Sequence, residues 1–242
     1  MKTALPIGLT GTAIAAVIAG YCVQTWVRYG KVHSERHPPD VLLDQFMPHP
    51  EVDEYHSVEV SAPAALALKT AKGTDIQSAL PIKAIFFLRA IPALLRGEEF
   101  RPEGSRGLFE ETLAQGFGVL AEEPGIEVVI GTYCQPWHQE VEFRPLPPEE
   151  FAAFDEPGFV KIAVSLAVEP LGPGRSRFIT RTRVATTDAE ARRKFRLYWS
   201  PMSAGILLIR WFFLPLVRKQ AERMATAQGR PARPGLRNTR GG

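Results

Sequence analysis

From Ala4 to Val27 the chain runs for 24 residues without a charged side chain. A helix needs about 20 consecutive apolar residues to cross the hydrocarbon core of a bilayer. Thr10, Thr12 and Gln24 are tolerable in such a span. Trp26 and Tyr29 stand at its end, where amphipathic rings favour the headgroup region. Arg28 and Lys31 follow at once, placed to snorkel outward. The rival is a cleaved signal peptide, with an apolar region of about 7–15 residues behind a basic start. Here Lys2 is the single early side-chain cation, and no small-x-small cleavage site follows the run. Cys22 follows Tyr21, where a lipoprotein signal wants a small residue. The expectation is an uncleaved, single-pass membrane anchor over residues 1–30. Arg28, Lys31 and Arg36 outnumber Lys2 and the amino terminus, which directs the rest of the chain to the cytoplasmic side.

Residues 31–53 read as a juxtamembrane linker, punctuated by Pro38, Pro39, Pro48 and Pro50. His33 and His37 stand four apart, as two metal ligands on a helix would. No third ligand is near and no HExxH pattern occurs, so no metal site is expected. Residues 54–225 suit one domain, and residues 226–242 read as a disordered basic tail of Gly, Pro and Arg. Of the two cysteines, Cys22 lies in the apolar run and Cys134 far along the domain, which argues against a disulfide.

The net charge of +3 conceals an asymmetry. Residues 1–171 carry 13 Lys/Arg against 23 Asp/Glu, and residues 172–242 carry 16 against 3. The basic third either faces anionic lipid or nucleic acid, or neutralises the acidic part within one fold.

Alternation of apolar and polar residues marks the strands. Glu54–Val60 is the first, with His56, Val58 and Val60 on one face. Pro63 then opens a short helix over Ala64–Thr70. Phe117–Ala121 and Ile126–Thr132 form a hairpin around Glu123-Pro124-Gly125, and Trp137–Phe143 alternates weakly as a further strand. Pro147–Phe154 reads as a helical turn. Phe159–Leu171 is the clearest strand. Its partner Ser176–Ala185 carries Phe178, Thr180, Thr182 and Val184 inward and Arg177, Arg181 and Arg183 outward. Thr187 or Asp188 caps a last helix, which Pro201 and Pro215 should bend or divide.

Two apolar stretches leave alternatives open. Leu80–Leu95, with Lys83 and Arg89 inside it and Arg96 following, is either a buried helix or one lying in the membrane surface. Arg210, among Leu, Ile, Trp and Phe, is a snorkelling cation, a partner for a buried acid, or an anion ligand.

The order of elements describes an α+β layout: strand, two helices, about five antiparallel strands, and a long C-terminal helix. It resembles the SRPBCC superfamily, the START/Bet v 1-like helix-grip fold that includes polyketide-cyclase-like proteins. The resemblance rests on Val58-Glu59-Val60-Ser61-Ala62-Pro63-Ala64, on the hairpins around Gly125 and Gly174, and on Thr182-Arg183-Val184 leading into Thr187-Asp188. It covers residues 54–220 as a layout and implies a central cavity for an apolar ligand between a curved sheet and the last helix. The anchor and Leu80–Leu95 are additions to that plan.

No nucleophile elbow, P-loop, dinucleotide fingerprint or EF-hand loop occurs, and no cofactor is implied. The polar groups available for chemistry are His56, Tyr133, His138 and Glu140. His138 and Glu140, two apart on a strand, would share a face as a general-base pair. Expected lining residues are Phe86, Val128, Ile130, Ile162, Val164, Leu166, Phe178, Trp199, Leu207 and Leu208, which a core stripe would equally predict. Three classes remain: a membrane-tethered binding or transfer module for a lipid or other apolar small molecule, a cyclase- or hydrolase-type enzyme on the same fold, and an interaction protein with a filled cavity. Membrane contact by Leu80–Leu95 and the basic C-terminal region belongs to the first class. Nucleic-acid binding has no supporting motif.

Overall fold

The structure, a computed structural model, describes residues 7–31, 38–75, 107–138 and 140–228, with the side chains of all of these except 7–15 and 206–207. The elements in order are α1 (Ile7–Arg28), α2 (Val41–Phe46), β1 (Val52–Val60), α3 (Ala64–Gly73) and α4 (Leu108–Ala114). There follow β2 (Gly118–Glu123), β3 (Glu127–Cys134), α5 (Pro148–Ala153), β4 (Val160–Gly172), β5 (Arg175–Thr186) and α6 (Ala189–Gln228). Phe86 and the whole of Leu80–Leu95 lie outside the described residues.

The five strands form one curved antiparallel sheet in the order β1-β5-β4-β3-β2. This is the α+β layout expected, with the long C-terminal helix laid on the sheet. The turn between β4 and β5 needs a positive φ at Gly174 (72°), which glycine adopts without a Cβ clash. Among the described residues of the expected strand Trp137–Phe143, no strand forms. β3 ends at Cys134, Pro136 sits in the turn that follows, and pairing is limited to an isolated bridge between Tyr133 and Arg144. Pro136 has no N–H to offer a ladder, and the alternation after it is too weak to recover one.

Both faces of the sheet are covered. On one face Val128, Ile130, Leu166 and Phe178 pack under α3 and the C-terminal half of α6, against Phe213, Leu214 and Val217. On the other, Val129, Ala163 and Leu120 pack with Phe151 of α5 and with Leu43, Phe46 and Met47. A third cluster joins Val52, Val160 and Val184 to Phe195 and Trp199 at the start of α6.

The second cluster changes the reading of residues 31–53. Their latter part is an ordered cover over the sheet. Asp40 caps α2 by accepting the Leu43 N–H at 2.8 Å, and Leu43 and Phe46 are buried. Burial of each such side chain is worth about 1.5–3 kcal/mol. Arg181 and Arg183, expected on an exposed face, are thereby 2% and 4% exposed. Arg181 donates to the Pro38 carbonyl at 2.8 Å, and Arg183 to the Met47 carbonyl at 2.9 Å. They also meet the carboxylates of Asp53 and Asp44. With Glu59–Arg175, Glu59–Arg177 and Glu51–Arg192, these pairs carry charge from the acidic part of the chain onto the basic part.

Asp188 caps α6 by accepting the Ala191 N–H at 2.7 Å. The helix continues past both prolines and bends by 43° between Ala189–Gly205 and Leu208–Gln228. The bend falls just after Gly205, where glycine weakens the helix, and Pro201 and Pro215 open the ladder to either side of it by freeing the carbonyls of Leu197 and Trp211.

α1 docks on the first half of α6, running antiparallel to it. Tyr21 Oη lies 3.0 Å from Ser203 Oγ, and Arg196 donates to the Trp26 carbonyl from Nε at 3.0 Å and from Nη2 at 2.6 Å. The Arg196 guanidinium also stands 4.1 Å from the Trp26 ring centroid. Among the described residues no single helix is long and apolar enough to cross a membrane. The two parts of α6, taken as a bent pair, satisfy that test by length and composition.

Candidate functional site

A cavity of about 680 Å³ opens where α1, β1 and the middle of α6 meet. β1 supplies His56 and Val58, because its even-numbered residues turn toward α6, and Ser57 borders the cavity between them. The bent middle of α6 supplies Ala204, Leu208, Trp211, Leu214 and Pro215. α1 closes the third side with Tyr21, whose bond to Ser203 holds the two helices together at the rim. The wall is almost wholly apolar, and the volume falls within the ~300–1,000 Å³ usual for small-molecule pockets.

His56 brings titratable chemistry to this wall. Its Nε2 is buried and makes no hydrogen bond among the described residues. The Glu54 carboxylate is 3.7 Å away, beyond hydrogen-bond distance. Beside this pair Arg210 reaches from α6 to the sheet, donating to the Glu54 carbonyl at 3.2 Å and to the Thr182 hydroxyl. Burial lowers the Arg210 pKa to about 10, against the pull of the Glu54 charge, and the guanidinium stays cationic at neutral pH. Arg210 thus holds β1 through the backbone carbonyl of Glu54, and among the described residues its guanidinium forms no ion pair with a carboxylate.

A second, smaller and more polar pocket of about 370 Å³ lies at the C-terminal end of α1. It is bounded by Trp26, Tyr29, Arg192, Arg193 and Arg196. Tyr29 donates to Glu51, and its hydroxyl is held far above the usual phenol range by burial and then by that carboxylate. Arg192 pairs with Glu51 at 2.8 Å.

Leu208, among the expected lining residues, lines the larger cavity. Val128, Ile130, Leu166 and Phe178 are core, with Val164 packed against them. Trp199 is core as well, in the cluster against which Ile162 packs. The Leu207 side chain lies outside those described. Large side chains thus fill the space between the centre of the sheet and α6, and the free volume lies beside it, toward β1 and α1. His138 and Glu140 are exposed in the loop after β3, so no strand places them on a common face. Tyr133 packs between Phe154 and Phe159, away from the cavity. His56 is the one of the four polar candidates that reaches it. Sequence reasoning passed over Tyr21, Trp211 and Pro215. The alternation of β1 was enough to find His56 and Val58, whereas Tyr21 was hidden by assigning the first helix to a membrane and away from the domain. Burial pushes the Cys134 thiol up to about 12, which makes it unreactive at neutral pH. Among the described residues no group of His, Cys, Asp and Glu could hold a metal ion.

No family model matches the chain, and no curated protein matches it. Solved structures do. A hypothetical protein, jhp0584 from Helicobacter pylori, is 7% identical with a TM-score of 0.36, over 76% of this chain and 95% of that one. The Zhui aromatase/cyclase from Streptomyces sp. R1128 is 16% identical with a TM-score of 0.28, over 74% and 98%. CalU16 from Micromonospora echinospora is 10% identical with a TM-score of 0.24, over 72% and 86%. At TM-scores below 0.5 none of them bears on what this chain binds.

Proposed function

We propose that the chain is a binding or transfer module for an apolar small molecule or lipid, held at a membrane by α1. The observation that carries this reading is the apolar cavity of about 680 Å³ between α1, β1 and α6. The membrane part is supported by the uncharged run from Ala4 to Val27 and by the apolar side chains left exposed around the cavity. Val17, Ile18, Val23 and Val27 are exposed on α1, and Met202, Leu208 and Trp211 on α6. Contiguous exposed apolar surface on a folded chain marks an interaction surface, and a bilayer would cover this one. Arg28 and the arginines of the smaller pocket then stand at the level of the headgroups. The rest of the chain would lie on the cytoplasmic side.

The reading is tested with the full chain reconstituted in lipid nanodiscs and titrated with apolar small molecules while its thermal unfolding is followed. A ligand present at 100 times its Kd adds about 2.7 kcal/mol of stability. A set of apolar ligands that leaves the midpoint unmoved contradicts the reading. An enzyme of cyclase type on the same cavity is the second reading, favoured by His56 with Glu54 beside it. It requires turnover that disappears in His56→Ala.

A further inference from the structure

The pocket of about 370 Å³ at the C-terminal end of α1 carries unbalanced charge. Ala189, Arg192, Arg193 and Arg196 stand at i, i+3, i+4 and i+7, so they share one face of α6. The short Ala189 leaves room beside the three long side chains. Gly30, on the α1 side, takes up none of it, since a Cβ there would meet nothing within 4 Å. The wall is mostly polar and has no acidic side chain. Its polar side-chain groups are the three guanidiniums, the Trp26 indole N–H and the Tyr29 hydroxyl, whose proton goes to Glu51. What remains is a set of donors, three of them cationic.

The carboxylates nearby are already engaged. Glu51 accepts the Tyr29 hydroxyl, the Thr186 hydroxyl at 2.7 Å and the Arg192 Nε at 2.8 Å. Glu190 pairs with Lys194 at 2.7 Å, and Asp188 accepts the N–H groups of Ala191 and Gly158. Arg193 makes no hydrogen bond or ion pair among the described residues, and acts on Glu190 through its charge alone. Arg196 gives its two hydrogen bonds to a neutral group, the Trp26 carbonyl. Three cations against the one carboxylate of Glu51 leave two positive charges. Arg28 and Lys31, exposed at the same end of α1, add to the field.

A guanidinium presents a planar fork of N–H donors that matches phosphate oxygens in pairs. Arg196 is held ready by its bonds to Trp26 and by the indole ring 4.1 Å away. A phosphomonoester, with a charge near −2 at neutral pH, matches the two unbalanced charges, whereas a carboxylate leaves one over. The volume, within the ~300–1,000 Å³ of small-molecule pockets, admits the group to which the phosphate is esterified.

We propose that this pocket binds the phosphate of a phosphomonoester, carried either by a lipid headgroup or by a soluble molecule, through Arg193 and Arg196. The site does not depend on what fills the larger cavity.

The test uses the full chain in phosphatidylcholine nanodiscs at fixed ionic strength, with the arginine 15Nε resonances as readout. Glycerol 3-phosphate is the soluble probe and phosphatidic acid in the disc the lipid probe. Acetate and phosphatidylglycerol, a diester, control for charge in solution and in the bilayer. One or both phosphomonoesters are expected to shift the Arg193 and Arg196 resonances where the controls do not. A shift by phosphatidic acid marks a lipid headgroup as the occupant, and a shift by glycerol 3-phosphate alone marks a soluble one. Arg193→Gln should weaken that binding about tenfold or more, the loss of one charge-assisted hydrogen bond. Arg193→Lys should restore part of it. Ala189→Leu, which keeps every charge but narrows the pocket, should also weaken it. Arg28→Gln, which removes the same charge outside the pocket, should change it less than about twofold. Failure of both phosphomonoesters to bind, binding no tighter than that of the controls, or equal losses in Arg193→Gln and Arg28→Gln overturns the proposal. None of these results moves the binding of apolar ligands, on which the reading of the larger cavity stands separately.

Discussion

Arg181 and Asp53 meet in a two-pronged pair on the sheet face opposite α6, with Nε 2.7 Å from Oδ1 and Nη2 2.6 Å from Oδ2. Both side chains are nearly inaccessible, at 3% and 4% exposure. Arg183 shares the same carboxylate from 3.3 Å. Removing one partner of a buried pair leaves an uncompensated charge and costs about 3–5 kcal/mol. Asp53→Ala should therefore lose about that much stability in urea denaturation. Asp53→Leu combined with Arg181→Met should cost clearly less than the sum of the two single changes, because neither charge is then stranded.

Glu127 supplies a pH-dependent term. Burial, only partly offset by the hydrogen bond from Ser165 and reinforced by the charge of Asp40, raises its carboxyl to about 7. A carboxyl raised in the folded state leaves stability untouched below its unfolded value near 4.5. It removes stability as pH climbs from there to about 7. Glu127→Gln should be worth about 1–2 kcal/mol above pH 8, once solvent screening of this partly exposed group is allowed for, and nothing at pH 4. Denaturation curves at the two pH values decide it, and an equal gain at both contradicts the account.

Gly116 sits at φ 106°, and a Cβ there would meet the Phe143 carbonyl oxygen at 2.1 Å. Gly174 also has positive φ, 72°, but open space around it. Gly116→Ala should therefore cost about 2–4 kcal/mol, combining strain with overlap against backbone, and Gly174→Ala only about 1 kcal/mol. Thermal unfolding of the two variants gives the comparison.

The β4–β5 hairpin was the most legible part of the fold, because Val160, Ile162, Val164, Leu166 and Val168 keep strict period two. The cover over the second face was not legible. Ala163 and Arg181 look like solvent-facing residues until Leu43, Phe46 and Phe151 are seen to pack with the first, and Asp53 and the Pro38 carbonyl to hold the second. Apart from that of Phe151, those contacts join segments more than a hundred residues apart, and no local periodicity reports them. The cavity escaped for a related reason. Periodicity identifies an inward face, and Val128, Ile130 and Phe178 are indeed inward. Whether that face meets a void or a packed helix depends on Phe213 and Val217 across the layer. Tyr21 belongs to a segment that composition assigns to lipid, so its place on the wall depended on the docking of α1 against α6.

That docking is itself testable. Arg196 joins α6 to Trp26 through two hydrogen bonds and through the ring, and Tyr21 meets Ser203 one to two turns further along α6. Arg196→Ala removes a charge-assisted contact worth about 1.5–3 kcal/mol. It should raise protease cleavage in the segment after Arg28 with the sheet left intact, as amide hydrogen exchange in β3 and β4 would show.

The central claim is that a small apolar molecule occupies the space between α1, β1 and α6. The most direct measurement is mass spectrometry of molecules extracted from the purified full chain, run beside Ala204→Trp, whose indole would project into the cavity and obstruct it. The account predicts a near-stoichiometric apolar species in the wild-type extract and its loss from the variant at unchanged fold. A wild-type extract free of any such species, or the same species at the same level in both proteins, would contradict it.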